Sequence, residues 1–234
     1  MSGSLLVKEI RKVTDLKQKR QEERSREVAV RKEQVVAAAV DCFREKGIEA
    51  STISMIALRA GVGDATVYRY FDKKENLAVE CGIFIWKRIT AHFEELCDEE
   101  EYHCLSGIGQ VEALMTRALA IFAEEQKDFR FLYEFDRYLL SHHIERDRLA
   151  DYEASVNGSR RFLCGAIEKG REDGSITAQA ATLELYDTLT QAIFGFMQKL
   201  AGAGDLLEGD TRVNAARKAQ LLTELLLIGL GRKA

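Results

Sequence analysis

Proline is missing from all 234 residues. Nothing in the chain therefore locks φ or removes a backbone donor, and a sheet fold with many tight turns, which would draw on proline for them, is disfavoured. Cysteine is sparse and unpaired in pattern. Cys42, Cys81, Cys97, Cys104 and Cys164 form no CxxC and leave one over from any pairing, which fits a reduced, cytoplasmic protein better than a disulfide scaffold. No apolar run approaches the ~18 residues of a membrane span, and no charged leader precedes an apolar stretch of signal-peptide length. The patterns GxGxxG, GxxxxGK[ST], HExxH and GxSxG are also absent. Catalysis has no visible carrier, so neither an enzyme nor a bound cofactor is expected.

What is present is an ordinary soluble balance, 46% hydrophobic and 31% charged, which excludes wholesale disorder. With no proline and no strand-like alternation, the chain reads as all-α. Its charge is uneven. Residues 1–80 hold 16 Lys or Arg against 13 Asp or Glu, whereas residues 81–234 hold 18 against 25. A mildly basic end on an acidic body hints at a polyanion contact at that end, although such asymmetry is more often solvated surface.

Residues 1–28 are charged and lack a sustained apolar stripe, so they read as a tail, flexible or at most a marginal helix. Val36, Val40 and Phe43 then recur at helical spacing up to a stop at Gly47. Thr52 is placed to cap a second helix through Ala60, Gly61-Val62-Gly63 interrupts it, and a short third helix follows from Asp64. Asp72 is expected to cap a fourth helix that continues past Trp86. Further helical patterns cover Gln110–Gln126, Phe129–His143, Arg146–Lys169, Ala178–Leu200 and Arg212–Leu230. The last two carry apolar residues around more of their circumference than one domain face needs.

Gln34–Leu77 thus holds three helices with a tight turn between the second and third, the helix-turn-helix arrangement. A short helix projected from such a turn fits the DNA major groove. Its exposed positions are expected at Asp64, Ala65, Thr66, Tyr68 and Arg69, with Val67 and Phe71 as anchors. Any compact three-helix unit would carry the same apolar pattern.

The run Ile56-Ala57-Leu58-Arg59-Ala60-Gly61-Val62-Gly63-Asp64-Ala65-Thr66-Val67-Tyr68-Arg69-Tyr70-Phe71, followed by Lys74-Glu75-Asn76-Leu77, resembles the DNA-binding domain of TetR-family transcriptional regulators. Phe43, Gly47 and Thr52 fall where that family has its matching residues, and Gly170 with Glu172-Asp173-Gly174-Ser175-Ile176 is a frequent family feature. Three positions depart from the pattern: Gly63 replaces the usual Ser, Ala65 the usual Gly, and Lys73 a Ser, Asn or Asp. The resemblance implies a DNA-binding domain over 29–89, with its helix-turn-helix at about 52–71, and a helical effector-binding and dimerisation domain over 90–234. It also implies a ligand-responsive repressor that binds a palindromic operator as a homodimer.

Site roles follow from chemistry and resemblance together. Thr52, at a helix N-terminus, can donate to a phosphate. Lys74 matches the family's phosphate-contacting lysine, and Tyr70 is expected to donate its hydroxyl to the backbone or simply to pack. Thr66, Tyr68 and Arg69 are the candidates for base edges or adjacent phosphates, Arg69 through a bidentate contact to guanine. The family's effector cavity is expected among Phe84, Trp86, Phe122, Phe131, Phe135 and Tyr138, with a largely apolar ligand. The dimer interface is expected on Leu189, Ala192, Gly195 and Phe196 of one helix and Leu222, Leu225 and Leu226 of the last.

Metal sites are not expected. Glu100-x-x-His103 supplies one di-iron-type motif where two and further glutamates are needed, and Cys97, His103 and Cys104 lack a fourth ligand. His142-His143 ends a helix or touches a ligand. The competing reading of the whole chain is a helical enzyme or small-molecule carrier that merely contains a three-helix unit.

Overall fold

The computed structural model describes residues 2–142, 144, 146–204, 206 and 208–231, with side chains from Gln18 onward apart from 148, 209 and 210. Every regular element among them is helical. In order these are α1 (Ser2–Lys46), α2 (Ile53–Ala60), α3 (Asp64–Phe71), α4 (Lys74–Cys97), α5 (Glu100–Cys104) and α6 (Gly107–Glu124). There follow α7 (Gln126–Ser141), α8 (Arg146–Val156), α9 (Arg160–Glu172), α10 (Thr182–Ala203), α11 (Glu208–Thr211) and α12 (Ala215–Leu230). No helix among the described residues is long and apolar enough to cross a membrane.

The charged stretch before Val28 forms the first part of α1, and its described side chains from Gln18 to Gln34 are all exposed. Burial starts at Val35 and continues through Val40 and Phe43, the stripe read from the sequence. Gly47 ends the helix at φ 80°, where a left-handed residue is needed and glycine adopts it without strain. Ser51 then ties the link back to α1, its Oγ donating to the carbonyls of Gly47 and Cys42 at 2.8 and 3.1 Å.

The helix α4 runs unbroken across residue 89 and joins the three-helix unit to the body. One continuous core extends from Val35 to Leu230. In the body α6 packs on α9 and α12, α7 on α10, and α8 on α4. The pattern read as one helix over Arg146–Lys169 is in fact α8 and α9, broken by a 3-10 turn at Asn157–Ser159. Gly158 lies in that turn against Thr90 of α4, where a Cβ would come within 3.1 Å of the Thr90 hydroxyl.

The segment from Gly170 to Ile176 has a clear structural task. Asp173 accepts from the backbone N–H of Gly107 at 2.7 Å, and Ser175 Oγ from that of Ile108 at 3.0 Å. Together with Ser106, which accepts from Gly109 N–H, these satisfy the orphan donors at the start of α6. The helices cross so closely there that a Cβ on Gly107 would lie 1.9 Å from the Gly170 nitrogen.

Candidate nucleic-acid interface and effector cleft

Local chemistry builds the three-helix unit. Thr52 caps α2 as expected, its side chain accepting from the Met55 N–H at 3.2 Å. Its own hydroxyl proton remains free on an exposed surface. Gly61 ends α2 at φ 66°, and Gly63 begins α3 with no side-chain cap, the consequence of glycine standing where an acceptor would help. Val67 and Phe71 are buried, and Ala65, Tyr68 and Arg69 face solvent on the opposite side of α3. Thr66 is half-buried. Asp64 is exposed, but its carboxylate accepts from the Ser54 hydroxyl of α2 and so braces the two helices.

Two local expectations are corrected. Asp72 does not cap α4. It sits at φ 64°, ψ −51° as the C-cap of α3, in a tight γ-type turn that the Lys73 N–H closes by donating to the Phe71 carbonyl at 2.7 Å. The turn is held instead by Asn76, which donates to the Phe71 carbonyl at 3.0 Å. Tyr70 makes no hydroxyl bond to the backbone among the described residues. Its ring lies beneath Arg69 at 5.1 Å and Lys32 at 6.0 Å, so it positions Arg69 through a cation–π contact. Lys74 Nζ donates to the Glu49 carbonyl at 3.1 Å, and burial lowers its pKa from the ordinary value. An ammonium has three donors, which leaves two for a phosphate.

The aromatic residues singled out for the cavity separate into distinct places. Trp86 lines a cleft of about 410 Å³ between α4, α7, α8 and α10, a size in the usual range for small-molecule sites. Phe131 and Phe135 do not line it. Both are fully buried and stack at 5.6 Å, Phe131 in turn stacking on Phe43 of α1 at 5.9 Å. Phe122 lies at a groove between α6 and α12, Tyr138 at one between α7 and the α1–α2 link, and Phe84 is half-buried outside the cleft. Periodicity places all of them inward; only the packing distinguishes core from cavity wall.

The cleft itself is walled by Trp86, Tyr152, Tyr186 and Phe194, with Asp136 and Asp187 at its rim. Trp86 Nε1 donates to the Tyr152 hydroxyl at 3.1 Å, and Trp86 meets Phe194 edge-on at 5.2 Å. Burial raises the Tyr152 phenol above its usual pKa, as does the neighbouring Asp136. Beside Tyr186, Thr190 and Phe194 lies a small, mostly apolar recess of about 40 Å³ bounded by Phe93, Leu114 and Ile193. Tyr152 also touches Phe135 at 5.2 Å, so an aromatic series Tyr152–Phe135–Phe131–Phe43 leads from the cleft to α1. Gly82 of α4 makes room for it: a Cβ there would lie 2.9 Å from the Tyr152 ring and 3.0 Å from Phe135.

Of the expected interface residues, Leu225 is 58% exposed, Gly195 is open, and Ala192, Phe196, Leu222 and Leu226 are half-buried. Leu189 is corrected: it is buried among its own subunit's side chains at the apolar recess. Leu221 and Ile228 extend the exposed stripe on α12. His142 ends α7 and stacks on Tyr138; His143 lies outside the described residues. No cluster of three or more metal-ligating side chains occurs among the described residues.

Residues 35–81 match the family model of bacterial regulatory proteins of the tetR family. A fatty acid metabolism regulator protein of Bacillus subtilis is 36% identical over 67 residues, 29% of this chain and 32% of that protein, so the likeness spans about a third of the relative. Among solved structures, the fatty acid degradation regulator FadR from Bacillus halodurans superposes with a TM-score of 0.62 at 21% identity, covering 86% of this chain and 97% of that one. FadR from Bacillus subtilis in complex with stearoyl-CoA gives 0.61 at 20% identity over 84% and 97%. A tetR-family protein from Rhodococcus RHA1 gives 0.64 at 16% over 87% and 98%. These three establish a shared fold along most of the chain.

Proposed function

We propose that this chain, whose residues 35–81 match the family model of tetR-family bacterial regulatory proteins, is a ligand-responsive transcriptional repressor and not an enzyme. It works in the cytoplasm as a homodimer on a palindromic operator. The observation that carries this reading is α3, which turns Ala65, Tyr68 and Arg69 outward from the buried anchors Val67 and Phe71. Two such helices, related by a two-fold axis, would meet successive major grooves about 34–36 Å apart. The exposed apolar stripe Leu221, Leu225 and Ile228 on α12 supplies the surface for pairing.

The effector enters the cleft beside Trp86 and Tyr152. A ligand that displaces Tyr152 acts on α4 at Gly82 and on α1 through Phe135, Phe131 and Phe43. Because α4 begins beside α3, a tilt there changes the separation of the two recognition helices, and only one half-site can then be docked. Reversing occupancy from 99:1 to 1:99 requires the ligand to favour the non-binding state by about 5.5 kcal/mol. Gel filtration together with binding to pooled genomic fragments at two salt concentrations tests the regulator reading. A dimer whose DNA affinity falls steeply with salt is expected; a monomer without DNA affinity at either salt overturns it.

A further inference from the structure

The polar groups around the cleft are almost all acceptors, or neutral groups able to accept. Asp136 stands on α7 and accepts from the Gln198 side-chain amide at 3.2 Å. Asp187 stands on the same rim, on α10, with Thr190 and Gln191 one turn further along. No lysine or arginine lines the cleft among the described residues. Arg160 stands at the edge and is already engaged, its guanidinium 5.4 Å from the Tyr186 ring centre and donating to Asn157 Oδ1 at 3.1 Å. The remaining wall is aromatic. Ring faces and carboxylates together form a surface that attracts positive charge, and the same carboxylates repel a polyphosphate head.

Resting on the reading of this cleft as the effector site, we propose that its ligand is an organic cation with an aromatic or compact apolar body, not an anionic acyl thioester. The cationic centre lies between Asp136 and Asp187 against the ring of Tyr152. The apolar end points at the apolar recess beside Phe194. That recess has room for roughly three water-sized groups, which suits a short substituent and excludes a long extended chain. Desolvation by the walls raises the Asp136 carboxyl above the ordinary carboxylate range, the state of an acid that lacks a full counter-charge. A bound cation would supply one.

Trp86 is the only tryptophan in the chain and forms one wall of the cleft, so its fluorescence reports occupancy directly. The full-length protein is titrated with tetraphenylphosphonium and, separately, with stearoyl-CoA. Saturable quenching by the cation and none by the thioester is expected. The double variant Asp136→Asn with Asp187→Asn should weaken the cation at least 10-fold while the circular dichroism stays unchanged. If the double variant does not fold, Asp187→Asn alone serves, since Asp187 is exposed. The proposal is overturned by saturable stearoyl-CoA binding, by cation affinity that survives the acid substitutions, or by no saturable response to the cation. DNA binding measured on the same unliganded samples separates the two claims: if it persists while the cation fails, only the ligand class is wrong, and if it is absent, the regulator reading falls on its own.

Discussion

Arg44 of α1 and Asp128 of α7 form a direct ion pair that joins the N-terminal three-helix unit to the body. Asp128 is only 3% exposed, and Arg88 of α4 approaches the same carboxylate at 3.5 Å while pairing with Glu125 at 2.7 Å. Three helices thus converge on one buried charge. Removing Arg44 leaves the buried Asp128 carboxylate with Arg88 alone, 3.5 Å away, to match it. Arg44→Met should therefore lower unfolding stability by about 3 kcal/mol, measured by urea denaturation. Combining it with Asp128→Leu should recover most of that loss; a double variant no better than the single would show that the helices need the charges for more than mutual compensation.

Tyr68 and Arg69 are exposed on α3 and contribute little to its anchoring. Alanine at either position should weaken binding to a selected genomic fragment by about 10- to 100-fold, corresponding to ~1–3 kcal/mol per base contact, and leave the melting temperature within a degree or two. Val67→Ala should do the reverse in part, lowering stability through a core cavity. Mobility shift and thermal melts on the same preparations distinguish the two kinds of effect.

The α12 stripe predicts the oligomeric state. Leu221→Glu with Leu225→Glu places two charges on a surface that is already 45% and 58% exposed at those leucines in the single subunit. The subunit fold should persist, and sedimentation should give a monomer that has lost tight operator binding. A double variant that remains dimeric would move the interface elsewhere.

Gly82 offers a test of coupling at a position far from α3. Gly82→Ala presses a methyl group into Tyr152 and Phe135. Overpacking of this kind costs about 1–3 kcal/mol. The expected outcome is a changed DNA affinity in the absence of ligand together with a blunted Trp86 response to cleft ligands. Unchanged values of both would remove the aromatic series from the mechanism.

Asp173 sets a pH dependence. Hydrogen bonds from the Ser175 side chain and from the backbone N–H groups of Gly107 and Ser175 hold its carboxyl below the ordinary value. A group depressed in the folded state contributes stability above its unfolded pKa, near 3.9, and loses it as pH falls through the folded value. Asp173→Asn should therefore melt earlier than the parent at pH 6, and the two curves should converge once the pH falls through the lowered carboxyl value.

What could be read from the sequence is what local chemistry decides. The Thr52 cap, the left-handed Gly61 and the buried Val67 and Phe71 each depend on neighbours a few residues away, and the structure has them where the spacing places them. Asp72 escapes the spacing argument because an aspartate suits a helix N-cap and a tight turn alike; the choice between them depends on how tightly α3 meets α4. The cleft was harder to see. Its walls come from α4, α7, α8 and α10, and Tyr152 and Asp187 carry no periodic mark that separates them from surface. Phe131 and Phe135 have the spacing of cavity residues but fill the junction with α1 instead.

Tyr152 stands both in the wall of the cleft and at the head of the series leading to Phe43. If the cleft holds the proposed effector, sensitivity and gain in a biosensor built on this protein would be tied together at that residue, which shapes the cleft wall and heads the packed series at once. Asp187 touches only the rim. Under the proposed reading, selectivity would be retuned there with least effect on the series, whereas a change at Gly82 presses on Tyr152 and Phe135 and so moves both properties together.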